Sequence, residues 1–376
     1  MRSYIFRGAL LALLFFSLPL SAKDAEVELP VLTVETLESQ RFEGPQYVGS
    51  DSKGKVFILR TEGTLEVFPL EDDGLGKPRA LQRKAMEGHG FVLDAAMDRH
   101  GDWIVLYGAE VRLFEDGKEK ILPRLSWQPF SVALLNGEPI AGTFPFPMGR
   151  LSKRELRNPP LIQAADKDDW RTVVESERNG PPKVEERTPA LHATASKIMT
   201  DSEDTIWLAN EYRYRVVRYS KAGRELLSIE VGEAEVAHHE EESLEDARVA
   251  LEEERARYAN PERAKVVVNT AVTSILDLVE GEDGKIYLLT KAGKSGSLTL
   301  DRYDGVLNTL ERTALGMTTP GAVSIASGKD GIYLVPFNGT LKRYLVPWEE
   351  IEQAAWVPVE GVKIDGTDAV VVAEEE

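Results

Sequence analysis

The stretch DSEDTIWLANEYRYRVVRYSKAG, residues 201–223, contains a turn, an apolar run, a polar tip, a second alternating run and another turn. The second run, Arg215 to Tyr219, mixes arginine with valine and tyrosine, and we interpret it as the partner strand of the first run. Ile, Val, Trp and Tyr fill both runs, and these residue types favour strands. The stretch therefore predicts a β-hairpin, and its recurrence along the chain decides the fold.

Four other stretches share this pattern: DSKGKVFILRTEGTLEVF from Asp51, DRHGDWIVLYGAEVRLFEDG from Asp98, GEDGKIYLLTKAGKSGSLTLDRYDG from Gly281 and GKDGIYLVPFNGTLKRY from Gly328. An apolar segment precedes each turn and a weaker one usually follows the hairpin, so the unit predicts a four-stranded meander. The turn positions recur after 47, 103, 80 and 47 residues, at Gly54, Gly101, Asp204, Gly284 and Gly331. The longest interval predicts a degenerate unit at 129–144, which brings the count to six.

Repeats of about 40–50 residues with four short strands are typical of β-propellers. The sequence predicts an all-β, six-bladed β-propeller over residues 23–365. Two segments interrupt it: 149–190 is an irregular, proline-rich excursion around the third blade, with outer strands expected near 161–175. Residues 238–260 predict a helical insertion between blades four and five, because Ser243 and Asp246 resemble a capping box and Pro261 ends the pattern. Either residues 31–36 or residues 356–364 supply the outer strand that closes the ring.

Residues 1–22 have the order of a secretory signal peptide: Arg2 and Arg7, then an apolar run, then small residues up to Ala22. The apolar run is shorter than the roughly 20 residues that span a bilayer. The chain contains no cysteine, which excludes disulfides, thiolate nucleophiles and cysteine-based metal sites. These features predict a secreted protein of the bacterial periplasm, without an integral membrane segment after cleavage.

The formal net charge is −18, and loss of the two signal-peptide arginines would make it −20. Such a surface repels nucleic acid and anionic lipid. The expected partner is a protein or a small-molecule ligand, and residues 366–376 are expected to form a solvated acidic tail.

The phrase TIWLANEYRYRVVRYSKAGR at 205–224 resembles the NHL repeat, with Asn210 where that repeat usually has Asp and with Arg215-Val216 on its second strand. Glu43-Gly44-Pro45 is similar to the motif that opens the first blade in the gluconolactonase and senescence-marker group of six-bladed propellers. In that group the glutamate, an asparagine and an aspartate hold a divalent cation such as calcium in the central channel. The resemblance implies Glu43 as one ligand, with Asn210 where the family has its aspartate, and the family's asparagine has no clear counterpart.

Two aspartates occupy equivalent places in predicted inner strands: Asp94 in VLDAAM and Asp277 in ILDLVE. A carboxylate there faces the axial channel or must be paired, because burying it alone is costly. One interpretation makes both residues part of a metal site with Glu43, and the other treats them as ordinary channel-facing polarity.

Two sets of aromatic residues differ in their spacing. The first set falls just after the turn of each repeat, which indicates blade packing: Trp103, Trp207, Tyr287 and Tyr333. The second set is irregular and is a candidate ligand or partner surface: Trp127, Phe130, Phe144 and Phe146.

No nucleophile elbow, phosphate loop or dinucleotide fingerprint occurs in the sequence. The preferred hypothesis is a non-catalytic binding or scaffolding module, and the alternative is a divalent-cation-dependent lactonase or related hydrolase. A propeller retained for envelope structure alone is a third interpretation. Catalytic residues, ligand identity and oligomeric state are left open by the sequence.

Overall fold

A computed structural model describes residues 30–40, 46–50, 56–60, 65–68, 70–71, 74–75, 79–82, 92–98, 102–107, 110–115, 118–148, 159–175, 197–210, 214–231, 273–292, 297–318, 323–328, 330–336 and 341–366. Residues 35–82 are described by their backbone alone.

The strands form six antiparallel sheets of four or five strands, named A to F in chain order, and a two-stranded ribbon. Sheet A contains β2 (Gln46–Ser50), β3 (Val56–Arg60), β4 (Leu65–Phe68) and β7 (Arg79–Gln82). The ribbon consists of β5 (Leu70–Glu71) and β6 (Gly74–Leu75). Sheet B contains β8 (Val92–Met97), β9 (Trp103–Tyr107), β10 (Glu110–Glu115) and β11 (Lys118–Ile121). Sheet C contains β12 (Trp127–Leu135), β13 (Glu138–Pro147), β14 (Pro160–Asp166) and β15 (Asp169–Glu175).

Sheet D contains β16 (Lys197–Thr200), β17 (Ile206–Asn210), β18 (Arg215–Tyr219), β19 (Glu225–Val231) and β28 (Val362–Gly366). Sheet E contains β20 (Thr273–Glu280), β21 (Ile286–Ala292), β22 (Ser297–Asp304), β23 (Thr309–Thr318) and β27 (Val357–Pro358). Sheet F contains β24 (Val323–Gly328), β25 (Gly331–Pro336), β26 (Leu341–Pro347) and β1 (Glu35–Gln40). Helix α1 is Trp348–Gln353.

The first strand of each sheet contacts the first strands of two neighbouring sheets, and these contacts run in an unbroken circle through β2, β8, β12, β16, β20 and β24. Consecutive meanders arranged radially around an axis are a β-propeller, so the predicted all-β propeller fold is confirmed. Sheets B to F have described core side chains. The predicted number of six blades also depends on sheet A, which is described by strand pairing only, and it stays a prediction.

The turns explain why the sequence forms these meanders. Asn136 and Gly137 join β12 to β13 with φ angles of 52° and 79°. Two consecutive positive φ angles are the signature of the tight hairpin turn that matches strand twist, and Asn-Gly is its preferred sequence. The degenerate unit predicted at 129–144 is thus a true hairpin, and β14 and β15 fall where the outer strands of that unit were expected.

The four periodic aromatic residues lie in the core, as their spacing predicted: Trp103, Trp207, Tyr287 and Tyr333 are 0–4% exposed. Three of them also donate a hydrogen bond to an aspartate of the preceding turn. Trp207 Nε1 donates to Asp201 Oδ2 at 2.8 Å, and the Tyr287 hydroxyl donates to Asp283 Oδ2 at 2.9 Å. All four aromatic side chains therefore fill the space beside their sheets, and three of them also fix the turn that precedes them.

Both ends of the chain cover outer strands. β1 pairs with β26 and completes sheet F, so an N-terminal strand closes the ring, at 35–40 and not at the predicted 31–36. The competing segment at 356–364 instead adds β27 to the outer strand of sheet E and β28 to that of sheet D. Residues 30–32 also hydrogen-bond with Ala314 of β23.

The helical insertion predicted at 238–260 lies outside the described residues, as do residues 1–29 and the acidic tail from 367. Within the described part of the chain, no helix has the length and apolar character needed to cross a bilayer.

Candidate functional site

The inner strands bring together five polar side chains that we call the axial cluster: Asp94, Ser131, Lys197, Asp277 and Ser324. They come from β8, β12, β16, β20 and β24, one from each of sheets B to F. Both aspartates are nearly inaccessible to solvent, with 2% and 4% exposure. The predicted placement of these two carboxylates on inner strands is therefore correct.

Asp94 is bonded to the two sheets that follow it. Its Oδ2 accepts hydrogen bonds from the Ser131 hydroxyl at 2.6 Å and from the backbone N–H of Val132 at 2.8 Å. Its Oδ1 accepts from the Lys197 ammonium at 2.7 Å. The Ser131 oxygen in turn accepts from the N–H of Ile198 at 3.1 Å. One carboxylate thus links sheets B, C and D.

Asp277 repeats this arrangement three sheets further round the ring. Its Oδ2 accepts from the Ser324 hydroxyl at 2.6 Å and from the N–H of Ile325 at 3.0 Å. Its Oδ1 accepts from the N–H of Leu278 at 2.9 Å. The same contact therefore occurs twice in the ring: an aspartate of one inner strand accepts hydrogen bonds from a serine hydroxyl and from the following backbone N–H of the next inner strand.

Lys197 lies between the two aspartates. Its Nζ is 2.7 Å from Asp94 Oδ1 and 3.8 Å from Asp277 Oδ1, and its side chain is 20% exposed. The two carboxylates and the ammonium form one ion-paired group, which joins the inner strands of sheets B, D and E.

The axial cavity beside this cluster has a volume of about 80 Å³ and is lined mainly by inner-strand residues. Ligand pockets usually measure about 300–1,000 Å³. The cavity accommodates a few water molecules, but a sugar lactone does not fit inside its described walls.

Glu280 is a third carboxylate on the cavity wall. Its two oxygens accept from the backbone N–H and the hydroxyl of Ser202, at 2.7 and 2.6 Å. Burial nevertheless raises the pKa of Glu280, and the Ser202 hydrogen bonds oppose that rise only in part. Glu280 joins sheets E and D at the side of the axis.

The other predicted metal ligands do not complete a site with these carboxylates in the described part of the chain. Glu43 lies outside the described residues. Asn210 is buried at the end of β17, one strand outward from Lys197. No group of three or more His, Cys, Asp or Glu side chains that could hold a metal ion is found among the described residues. The ammonium of Lys197 lies where a divalent cation bridging Asp94 and Asp277 would be needed, so these two residues do not fit such an ion.

The structure describes two of the four irregular aromatic side chains that were predicted to form a ligand or partner surface. Trp127 is 5% exposed, and Phe130 packs against the core cluster of sheets C and D. The buried ring of Trp127 is therefore not available as a partner surface, whereas that of Phe130 is only partly buried. The side chains of Phe144 and Phe146 lie outside the described set, so their part of the hypothesis stays a prediction.

Sequence reasoning missed Lys197, Ser131 and Ser324. A signal was present, because "SVAL" at 131 and "SIAS" at 324 repeat the same Ser-aliphatic pair in equivalent strands. Lys197 gave no such signal, since its role arises only when three inner strands converge.

No protein-family model matches the chain, and no curated protein matches it. Solved structures to which it is similar include a catalytically inactive virginiamycin B lyase from Staphylococcus aureus with quinupristin, at 12% identity and a TM-score of 0.43, covering 83% of this chain and 99% of that chain. Another is the β-propeller domain of Myceliophteria thermophila Cps50 (Swd1), at 14% identity and a TM-score of 0.42, covering 81% of this chain and 98% of that one. These distant likenesses carry no functional conclusion, and the propeller assignment rests on the sheet topology.

Proposed function

We propose that this protein is a non-catalytic binding or scaffolding propeller of the bacterial envelope, secreted after cleavage near Ala22. The proposal includes six blades, with sheet A as the first, a helical insertion at 238–260, and kinship with NHL-like propellers. The observation that supports it is the engagement of the axial carboxylates by Lys197, Ser131 and Ser324. Groups that a channel hydrolase would need for metal and water are used here to join sheets.

The charge balance strengthens this interpretation. Hydrogen bonds to a charged group contribute about 1.5–3 kcal/mol each, and leaving a buried carboxylate without them costs at least as much. A divalent cation would have to displace the Lys197 ammonium from Asp94 before it gained either carboxylate. Two carboxylates already holding an ammonium therefore favour a structural role.

Calorimetric titration of the mature protein with calcium and manganese tests the proposal, together with a lactone-hydrolysis assay. We expect no saturable micromolar heat and no hydrolysis above the uncatalysed rate. Glu43→Gln is expected to behave like the wild type in both assays.

Micromolar metal binding that Glu43→Gln abolishes, accompanied by metal-dependent lactone hydrolysis, would overturn the proposal in favour of the hydrolase. Metal binding without hydrolysis would instead assign the ion to stability, which an increase in the melting temperature with added metal would show.

A further inference from the structure

A second cavity lies at the rim of the ring, where sheet E meets helix α1. Its volume is about 460 Å³, within the range of small-ligand sites. We call it the rim pocket, and the residues that matter for its chemistry are Glu282, Asp283, Lys285, Tyr287, Arg302, Trp348 and Glu352. Neither its position nor its composition was anticipated from the repeats.

One wall of the rim pocket belongs to a cluster of three aromatic rings. The centroids of Tyr287 and Trp348 are 5.8 Å apart with the rings tilted at 58°, and those of Tyr287 and Trp356 are 6.4 Å apart at 57°. Trp348 Nε1 donates to the carbonyl of Gly328 at 2.7 Å, and Trp356 Nε1 donates to that of Ile351 at 3.0 Å. These bonds fix the indoles, so the wall is formed before any ligand arrives.

This aromatic cluster already binds an organic cation from the chain itself. The Arg302 guanidinium lies over the Trp356 ring at 4.1 Å from its centroid. Arg302 Nη2 also donates to Glu311 Oε2 at 2.6 Å, which neutralises its charge. The neighbouring indole of Trp348 lines the cavity and offers the same electron-rich chemistry to a second cation.

The charges around the pocket leave an excess of negative groups. Lys285 Nζ is 3.3 Å from Asp304 Oδ2 and 3.8 Å from Asp283 Oδ2. The positive charge of Lys285 is therefore compensated by carboxylates of sheet E and its turn. Within the described part of the chain, the exposed carboxylates of Glu282 and Glu352 make no hydrogen bond or ion pair. A rigid indole with two uncommitted carboxylates beside it favours a cationic ligand over a neutral or anionic one.

We propose that the rim pocket binds an organic cation, a guanidinium or alkylammonium group, against Trp348 and between Glu282 and Glu352. This inference deepens the proposed binding function and rests on it. Two sources share the chemistry: the side chain of an arginine or lysine on a partner protein, and a free polyamine.

The test is a titration of the ¹⁵N-labelled mature protein with N-acetylarginine methylamide, with spermidine, and with N-acetylcitrulline methylamide as the uncharged control. The readout is the indole N–H signal of Trp348, assigned by its loss in Trp348→Phe. We expect a saturable shift with at least one cation and none with the citrulline compound.

Matched charge variants separate the pocket from the general acidity of the chain. Glu282→Gln/Glu352→Gln is expected to weaken binding at least tenfold. Glu349→Gln/Glu350→Gln removes the same charge from the same region, outside the rim pocket, and is expected to weaken it less than twofold. Equal losses in the two double variants, or no saturable shift of Trp348 with either cation, would overturn the proposal.

The two cationic probes distinguish the sources. Tighter binding of the arginine compound assigns the pocket to a partner side chain, and tighter binding of spermidine assigns it to a free polyamine. Metal binding and lactone hydrolysis, which test the proposed function, are measured separately, so failure of one proposal is distinguishable from failure of the other.

Discussion

The axial cluster and the rim pocket both combine carboxylates with a cation, yet their carboxylates have different partners. Asp94 and Asp277 are buried and accept hydrogen bonds from neighbouring strands. Lys197 donates a hydrogen bond to Asp94 and forms a longer ion pair with Asp277. Glu282 and Glu352 are exposed beside fixed indoles and have no described partner. Polar side chains at the axis of this propeller therefore join its sheets, whereas those at the rim are available to a ligand. Substitutions should therefore affect stability at the axis and binding at the rim.

The largest expected effect is that of Lys197→Met. Removing the ammonium leaves two buried carboxylates near each other without their shared cation, which should cost about 3–5 kcal/mol of unfolding free energy. Urea denaturation followed by circular dichroism measures the loss, with Lys221→Met in an exposed turn as the control. Equal stability of the two variants would show that Lys197 does not hold the ring together.

The two aspartates should differ in importance. Asp94→Asn loses an ion pair at 2.7 Å and should cost about 2–3 kcal/mol, whereas Asp277→Asn loses one at 3.8 Å and should cost about 1 kcal/mol. Both variants keep an oxygen that can accept from the serine and the backbone. Chemical denaturation of the two proteins side by side gives the comparison, and a larger loss for Asp277→Asn would reverse the assigned roles.

Glu280 makes a smaller, pH-dependent contribution. Because its pKa is raised in the folded protein, the folded state retains a proton that the unfolded state loses above the ordinary pKa of 4.5. The free energy of unfolding should then fall as pH rises from that value through the raised pKa. Urea titrations of wild type and Glu280→Gln between pH 4.5 and 7 should show the stability advantage of the wild type shrinking with pH. Parallel curves would contradict this account.

The smallest effect on stability is expected at the rim. Glu282→Gln/Glu352→Gln changes two exposed, unpaired side chains, so its unfolding free energy should stay within about 0.5 kcal/mol of the wild type. The melting temperature measured by calorimetry checks this. A large loss would place both carboxylates in the architecture and remove the contrast with the axial cluster.

The fold was predictable because strand periodicity and turn chemistry are local properties. The sequence pattern predicted the hairpin at 206–219, the hairpin that contains Asn136-Gly137, and the buried aromatic residues that follow the turns. The inner-strand position of Asp94 and Asp277 followed from the same repeat. Each of these features depends on residues close together in the chain.

The site was less predictable because its contacts join residues far apart in the sequence. Asp94 and Lys197 meet only across sheets, and Trp348 reaches Tyr287 only because helix α1 follows sheet F back toward sheet E. A resemblance resting on Glu43 and Asn210 implied a metal site in the central channel, but it gave no information about Lys197, which pairs with Asp94 and Asp277. Side chains that meet at the axis come from different sheets and do not recur at a fixed spacing. Their contacts therefore cannot be predicted from a single sequence.

Closure of the ring by β1 has a consequence for the order of events in the cell. The strand at Glu35–Gln40 pairs with Leu341–Pro347, which emerges from the ribosome about 300 residues later. Until then, β1 lacks its partner strand β26 and presents open hydrogen-bonding edges. Contacts of such long sequence separation also form slowly. The nascent protein should consequently become resistant to proteases in a single late step, after β26 has been synthesised.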